Sequence, residues 1–559
     1  MSGARGGAPG GPRLTAAGFL DDVARRHAGR VALRFPDEKV ELRYDDLRAA
    51  ARALARGLVG AGVVKGARVG LLLGNRPEWA VGWLAAGLVG AVVVPINTFG
   101  TPDELDFVLR HADVSTLLLQ PALASHRYLD ELCERHPELA RGAPRRLRCA
   151  ALPSLRGVFA LGATRPPGAV ERWDDLLALG ADVSEELVDA LAAEVAPSDD
   201  ALVIYTSGTT ERPKGIVHLQ RTPILQSLRF AEAMRLDPDD RVFTSQPFFW
   251  TAGIAMSLGA TLAAGACLVL QEVFEPGRAL ELIEAERITA VHAWPHQEKA
   301  LGEHPDAPRR DVSRVRKVRF SSPLARLAGL TEDRWGIDAS YGLSETFTIA
   351  SALPADTPVE LRAGSSGRAL PGMTLRVVDP ASGAPLPAGA HGEIAVRGPT
   401  LMRGYHKVDP ELAFDEAGFF RTQDGGSLDA DGVLHWTGRL SGLVKTGGAN
   451  VSPVEVEAAL RGHPALRAAL AVGVPHPTLG EALVLCAVAS DGAAQDGDAL
   501  RAYLRERLAP YKVPRVVLFF RPDELAYTGN QKIQAGPLRD AALARLRAER
   551  VEIAGHVYA

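Results

Sequence analysis

The chain has 559 residues, several times the size of one compact domain, so at least two domains with ample buried core are expected. Its 63 basic and 67 acidic residues leave a formal net charge of -4 without a long one-sign run, which gives no electrostatic ground for nucleic acid or an anionic membrane and favours a small-molecule substrate. Four scattered cysteines, Cys133, Cys149, Cys267 and Cys486, contain no Cys-x-x-Cys pair, so neither a zinc site nor a disulfide framework is suggested and a reducing cytoplasm suits them.

Met1 to Arg13, rich in Gly, Pro and Ala, lacks the apolar centre of a secretory signal and reads as a disordered tail. Short apolar runs then alternate with amphipathic segments: a strand at Val31–Phe35, a helix over Asp45–Val59, a strand from Arg68 to Leu73, a helix over Pro77–Leu88 and a strand at Ala91–Pro95. Strands alternating with helices predict parallel sheets covered on both faces, an α/β class with its sites at turns off strand ends. Val242 to Gln271 carries no charge and imitates a membrane span by length, but its Ser, Gln, Pro, Thr and Gly residues predict a buried helix plus strand and no span.

After about Pro354 the texture changes to short runs such as Leu375–Asp379 and Gly392–Gly398, broken by turn clusters, which predicts a small β-rich subdomain. From Leu443 the pattern is mixed: helix over Val454–Leu460, strands at Leu470–Val474 and Leu483–Ala489, helix over Asp498–Leu508 and strand at Val516–Phe520. A separate small α+β C-terminal domain is the simplest account.

Tyr205-Thr-Ser-Gly-Thr-Thr-Glu-Arg-Pro-Lys-Gly215 follows the apolar strand Leu202–Tyr205. Hydroxyls, glycines and one lysine in a turn off a strand suit a polyphosphate: backbone N–H groups close around oxygens, Thr206, Ser207, Gly208, Thr209 and Thr210 supply donors or room, and Lys214 adds charge. It is not a Walker loop, because Gly215 follows Lys214 where Ser or Thr is required. A flexible Gly/Ser/Thr turn is the plain alternative.

In context these residues resemble the phosphate loop of the adenylate-forming superfamily, in its acyl-CoA synthetase and ligase branch. Further matches follow in the family's order from about Arg30 to Leu538. Tyr341-Gly-Leu-Ser-Glu345 resembles the motif whose tyrosine stacks on adenine, with Gly342 beside it, a hydroxyl at Ser344 on phosphate and Glu345 holding magnesium. Gly392–Pro399 and Met402–Tyr405 resemble the β-rich segment that follows. Arg421-Thr-Gln-Asp424 is similar to the segment whose aspartate binds both ribose hydroxyls, and Gly438-Arg439 opens the interdomain hinge, so Asp424 and Arg439 join the nucleotide-binding set with Ser322. Lys445–Val451 resembles the glycine loop that swings in for thioester formation, placing Gly448 at the chemistry, and Thr528-Gly-Asn-Gln-Lys532 is similar to the motif carrying the adenylation lysine.

The resemblance implies a large N-terminal domain (14–437) of two doubly wound parallel-sheet subdomains plus the β-rich piece. A hinge (438–442) and a mobile C-terminal domain (443–559) follow. It also implies ATP or an acyl-adenylate with its AMP moiety, coenzyme A, and Mg2+ where adenylation is active. Each assignment has a plain counterpart: Asp424 as a turn acid, Glu345 as a helix-start acid, Tyr341 as a core aromatic and Lys532 as a solvated lysine. The acyl pocket is expected around Trp250, Gly253 and His296, with Trp250 standing where many relatives place a gating histidine and either shaping the pocket or filling core.

Four departures fall on the adenylation machinery and hinge. Glu211 replaces a common glycine in the phosphate loop; a carboxylate about 4 Å from one phosphate charge costs on the order of 4 kcal/mol at an effective dielectric near 20. Facing solvent and pairing with Arg212, it would be harmless. Gln531 replaces the glycine before Lys532, Gln423 stands where glycine is usual, and Gly442 where an aspartate or lysine is common. The loop Gly447-Gly-Ala-Asn-Val451 stays close to pattern. The sequence therefore predicts an acyl-CoA ligase that retains thioester formation and has weak or lost adenylation, receiving its adenylate from a separate enzyme. Its alternatives are a competent two-step ligase, an adenylation enzyme loading a carrier protein, and a catalytically dead adenylate binder.

Overall fold

Apolar runs of four to six residues become strands and the amphipathic stretches between them become helices. The computed structural model describes residues 13–205, 213–442, 444–446, 449–508, 512–526 and 533–559. It divides into two compact units, Met1–Thr374 with Val396–Phe420, and Leu375–Ala395 with Arg421–Ala559.

The first unit carries two large sheets. One has eight strands in the order Gly404–Tyr405, Gly215–Leu219, Asp200–Tyr205, Val92–Pro95, Arg68–Leu72, Thr116–Leu119, Gly157–Ala160, Val170–Arg172. From Asp200–Tyr205 to Val170–Arg172 the neighbours are parallel, and the first two strands join antiparallel. The other sheet runs Ala290–His292, Arg241–Thr244, Cys267–Leu270, Val31–Phe35, Val40–Arg43, parallel except at its last strand. Helix Pro77–Val89 is buried at every residue but Glu78, as a helix packed between layers must be, whereas Tyr44–Gly60 buries only one stripe. These are the two doubly wound layers of an α/β fold.

The uncharged stretch Val242–Gln271 folds as a buried strand, a π-helix Gly253–Gly259 running into helix Ala260–Ala264, and a second strand. No helix among the described residues is long and apolar enough to cross a membrane. All four cysteines are free thiols, and only Cys133 is partly exposed.

The second unit holds a four-stranded sheet, Thr374–Val378, Gly392–Arg397, Phe420–Leu428 and Leu434–Arg439, and a second sheet built on the long antiparallel pair Leu466–His476 and Gly480–Ala489. Val516–Phe519 adds in parallel to Gly480–Ala489, and helices Pro453–Ala459, Gly497–Arg505 and Ala535–Ala548 complete an α+β body. Ser452 ties the two sheets together, its hydroxyl donating to the Thr437 carbonyl while it caps helix Pro453–Ala459.

On that helix Glu457 is half-buried and accepts from the Ala471 N–H at 3.1 Å. Burial pushes its carboxyl up from 4.5 to about 7. Because the folded pKa lies above the unfolded one, the stability this group contributes is full below about pH 4.5 and is lost as pH rises through about 7. Glu457→Gln is predicted to flatten that window and to raise stability at pH 8 by roughly 2–3 kcal/mol, read by denaturant unfolding of the second unit. An unchanged pH profile would remove Glu457 as its source.

Candidate active site

The stem of the phosphate loop is a two-stranded ribbon, closed where Tyr205 pairs with Gly215. Thr206, Ser207, Gly208, Thr209, Thr210 and Glu211 lie outside the described residues; Lys214 lies within them and is exposed. Tyr205 is anchored by its hydroxyl to His111 Nδ1 at 2.7 Å, His111 stacks on Phe107 with centroids 5.0 Å apart, and His406 Nε2 meets the His111 carbonyl at 3.0 Å. Burial raises the Tyr205 hydroxyl well above its ordinary range and lowers both imidazoles, so this anchor is neutral.

From the stem a chain of groups leads to the next motif. The Lys214 ammonium stands 5.5 Å from the ring centre of Tyr405, and the Tyr405 hydroxyl donates to Glu345 Oε1 at 2.7 Å. A cation over a phenol whose proton is held by a carboxylate is a mutually reinforcing arrangement. Tyr405 ends the Met402–Tyr405 segment that resembles the family, and its place beside Glu345 exists only in the folded chain.

Glu345 sits on a turn under tight constraint. Tyr341 is buried in the short strand Ser340–Tyr341, paired with Ser351–Ala352, and the chain between them folds back so that a Cβ at Gly342 would collide with the Thr348 carbonyl. Only glycine fits there. Phe347 and Thr348 take positive φ angles of 52° and 93°, and the Ala350 N–H closes on the Tyr341 carbonyl at 2.7 Å. Two buried side chains from elsewhere hold the turn. The Gln226 amide nitrogen lies 2.8, 3.1 and 2.6 Å from the carbonyls of Thr346, Phe347 and Ile349. His218 Nε2 meets the Ser344 carbonyl at 2.9 Å; a carbonyl can only accept, so this nitrogen carries the proton, and burial pushes the imidazole pKa down to about 3. Neither residue was legible in the sequence as part of the site.

Glu345 is partly exposed, with one oxygen occupied by Tyr405. That fits magnesium, which takes one or two carboxylates and completes its shell with phosphate oxygens and water.

In the second unit Asp424 is buried directly across the ribbon from Arg439, whose Nε lies 3.1 Å from Oδ1. Gln423 has a φ of 60°, in the left-handed region that favours glycine, and its N–H is fixed by Glu393 Oε1 at 2.8 Å. A side chain in that region costs about 1–2 kcal/mol. Gly442 ends the 3-10 turn Leu440–Gly442, and a Cβ would meet only the Arg439 Cβ at 3.8 Å, so sterics do not demand glycine. Gly447, Gly448, Gln531 and Lys532 lie outside the described residues.

On the acyl side, Trp250 belongs to an aromatic cluster with Phe249, Phe99 and Trp294 at centroid distances of 5.0, 6.2 and 6.3 Å. Gly253 opens the π-helix against the Pro247 carbonyl, which leaves no space for a Cβ. Ser322 is buried, accepts from the Leu324 N–H at 3.2 Å and hydrogen-bonds the Glu298 carboxylate, which also pairs with Arg319 at 2.8 Å. His296 lies in the first turn of helix Pro295–Glu303, and its side chain lies outside the described ones. Behind Tyr341 and Gly342 a cavity of about 200 Å³ opens, walled by helix Arg221–Ala233, the π-helix and the returning turn.

Gln226→Leu keeps the volume and removes the donor shared by three carbonyls. It is predicted to lower the stability of the first unit by about 2–3 kcal/mol in denaturant unfolding, since each buried carbonyl left unpaired costs about 1–3 kcal/mol and relaxation recovers part. Unchanged stability would mean that the turn holds itself.

The AMP-binding enzyme family matches residues 20–406, and the AMP-binding enzyme C-terminal domain matches residues 455–532. Over 505 residues the chain is 34% identical to the feruloyl-CoA synthase of an Amycolatopsis species, covering 89% of this chain and 93% of that one. Among solved structures, the anthranilate CoA ligase AuaEII in complex with anthranoyl-AMP superposes with a TM-score of 0.79 at 26% identity, over 96% of this chain and 98% of that one. ATP-bound MatB from Rhodopseudomonas palustris gives 0.76 at 26% identity, over 94% and 99%. With both domains matched and the fold shared end to end, the chain belongs to the AMP-binding, adenylate-forming enzyme family, in its acyl-CoA ligase branch.

Proposed function

We propose that this chain joins a carboxylic acid to coenzyme A in two half-reactions on one polypeptide, with thioester formation fully retained and adenylation the slower step. The observation that carries the reading is the Lys214–Tyr405–Glu345 chain at the phosphate-loop stem, which sets a cation and a carboxylate on one short path. In the first half-reaction a carboxylate oxygen attacks the α-phosphorus of ATP and pyrophosphate leaves. In the second the CoA thiol attacks the acyl carbonyl, its proton is lost, and AMP departs with the oxygen that came from the acid.

Lys214 and the hydroxyls of the loop bind phosphate oxygens, Tyr341 packs on adenine with Gly342 beside it, and Ser344 reaches phosphate. Asp424 and Arg439 hold the ribose, a charge-assisted contact of about 1.5–3 kcal/mol. Bound with ATP, magnesium would neutralise phosphate charge, and Glu345 would hold it. Lys532 places its ammonium at the α-phosphate for adenylation; residues 438–442 are the hinge, and Gly448 gives the thiol its approach for the second step. Nothing in the fold or the relatives calls for a separate adenylating enzyme.

In this reading adenylation is the slower step because Glu211 adds a negative charge to a segment that resembles the family's phosphate loop, and Gln531 replaces the glycine expected before Lys532. A fully competent two-step ligase is favoured by Gln423, a departure that the backbone accommodates in place. The test uses a broad panel of chemically made acyl-adenylates with CoA and without ATP, beside ATP-dependent pyrophosphate release. The protein is predicted to form acyl-CoA and AMP from at least one adenylate of the panel. Glu211→Gly is predicted to raise pyrophosphate release, by a few hundredfold at most before screening, with a further gain from Gln531→Gly and none in the thioester step. Fast pyrophosphate release without mutation, or no response to either change, would establish the competent ligase; a panel left untouched throughout would overturn thioester formation.

A further inference from the structure

Helix Arg221–Ala233 carries a second buried polar side chain three residues on from Gln226, the guanidinium of Arg229. Arg229 is only 8% exposed, and among the described residues no carboxylate pairs with it. Burial pushes its pKa down to about 10, which still leaves it charged at neutral pH. A buried charge without a counter-ion is destabilising, and an apolar side chain of similar volume would fill the space without that penalty. Packing therefore does not account for an arginine here.

Its neutral partners do. Nη1 lies 3.4 Å from Gln226 Oε1 and 3.3 Å from the Thr400 hydroxyl, and Nη2 donates to the Pro371 carbonyl. A guanidinium presents its donors in a rigid fork, so one side chain joins three segments. Two of these contacts lead to Glu345. Because a guanidinium only donates and a carbonyl only accepts, the Gln226 amide has a single orientation, oxygen toward Arg229 and nitrogen toward the carbonyls of Thr346, Phe347 and Ile349. On the other branch Thr400 begins the segment whose Met402 N–H donates to the Glu345 carbonyl at 2.7 Å and whose Tyr405 hydroxyl holds Glu345 Oε1. The backbone at Glu345 and one oxygen of its carboxylate are thus both tied to one guanidinium, and all these residues belong to the first unit.

We propose that Arg229 is a positioning residue for the nucleotide's magnesium: it fixes Glu345 from both sides and so sets how far the metal strengthens ATP binding. The inference rests on the reading of Glu345 as the magnesium carboxylate. Removing a group that orients a metal ligand typically costs about 10- to 100-fold in metal affinity; Arg229 acts through Gln226 and Thr400, so the lower end is expected.

The test measures ATP affinity of the whole chain by calorimetry, with magnesium and with EDTA. Magnesium is expected to strengthen ATP binding to the unmutated protein, and Glu345→Gln to remove most of that gain. Arg229→Met, apolar and of similar length, is expected to shrink the gain about tenfold and to leave ATP affinity in EDTA little changed. Thr400→Val removes one acceptor and keeps its shape; it is expected to shrink the gain by a smaller factor, and circular dichroism confirms that each variant folds. Equal losses with magnesium and with EDTA in these two variants would make the Arg229 contacts a support for the fold alone and overturn the inference. A gain lost in Glu345→Gln but intact in both Arg229→Met and Thr400→Val would overturn the inference and leave the magnesium reading standing. A gain untouched by Glu345→Gln would overturn that reading, and the inference with it.

Discussion

The close approach of the Thr348 carbonyl to Gly342 is the constraint on which the site in the first unit depends. A side chain at 342 would push the returning strand away, and with it the pairing of Ser340–Tyr341 with Ser351–Ala352. Because the turn is this tight, one short segment presents a buried tyrosine, a partly exposed carboxylate at Glu345 and a wall of the cavity at Thr348 and Ile349. Its carbonyls point inward where water cannot reach them, so Gln226 and His218 supply the donors. The Ser344 carbonyl selects the His218 tautomer with its proton on Nε2, and burial holds the ring neutral. Binding and geometry are thus paid for in the same few hydrogen bonds.

Charge is handled differently at the phosphate-loop stem and on the ribose side. The stem is pinned by neutral groups, Tyr205, His111 and His406, so the cation Lys214 is the charged group nearest the loop among the described stem residues. In the second unit Asp424 keeps its buried carboxylate acceptable by facing Arg439 across the ribbon, and both are then oriented before any ligand arrives. Gln423 takes a left-handed φ held by its neighbours: Glu393 accepts from its N–H, and the Thr422 hydroxyl donates to the Ile394 carbonyl at 2.7 Å.

The elements legible in the sequence were those whose cause is local. Val31–Phe35 reads residue for residue because five apolar-rich positions are bounded by a turn and a proline, and Tyr44–Gly60 differs from its expected span by one residue at each end. The nucleotide motifs were legible through resemblance, since their residue types follow from phosphate and ribose chemistry. The π-helix Gly253–Gly259 was not, because i to i+5 bonding leaves no periodicity that distinguishes it from any buried apolar run. Gln226 is 120 residues from its first acceptor and His218 is 126 from Ser344, so their roles exist only in the folded chain.

The most direct measurement of the central claim follows an oxygen atom. With an acid labelled with 18O at both carboxylate positions, passage through an acyl-adenylate requires one labelled oxygen to end in AMP, because the bond broken by the thiol lies between the acyl carbon and that oxygen. Mass spectrometry of the AMP formed together with acyl-CoA should therefore show one 18O per molecule. Unlabelled AMP beside labelled or exchanged acid would contradict an acyl-adenylate route and with it the assignment of this site.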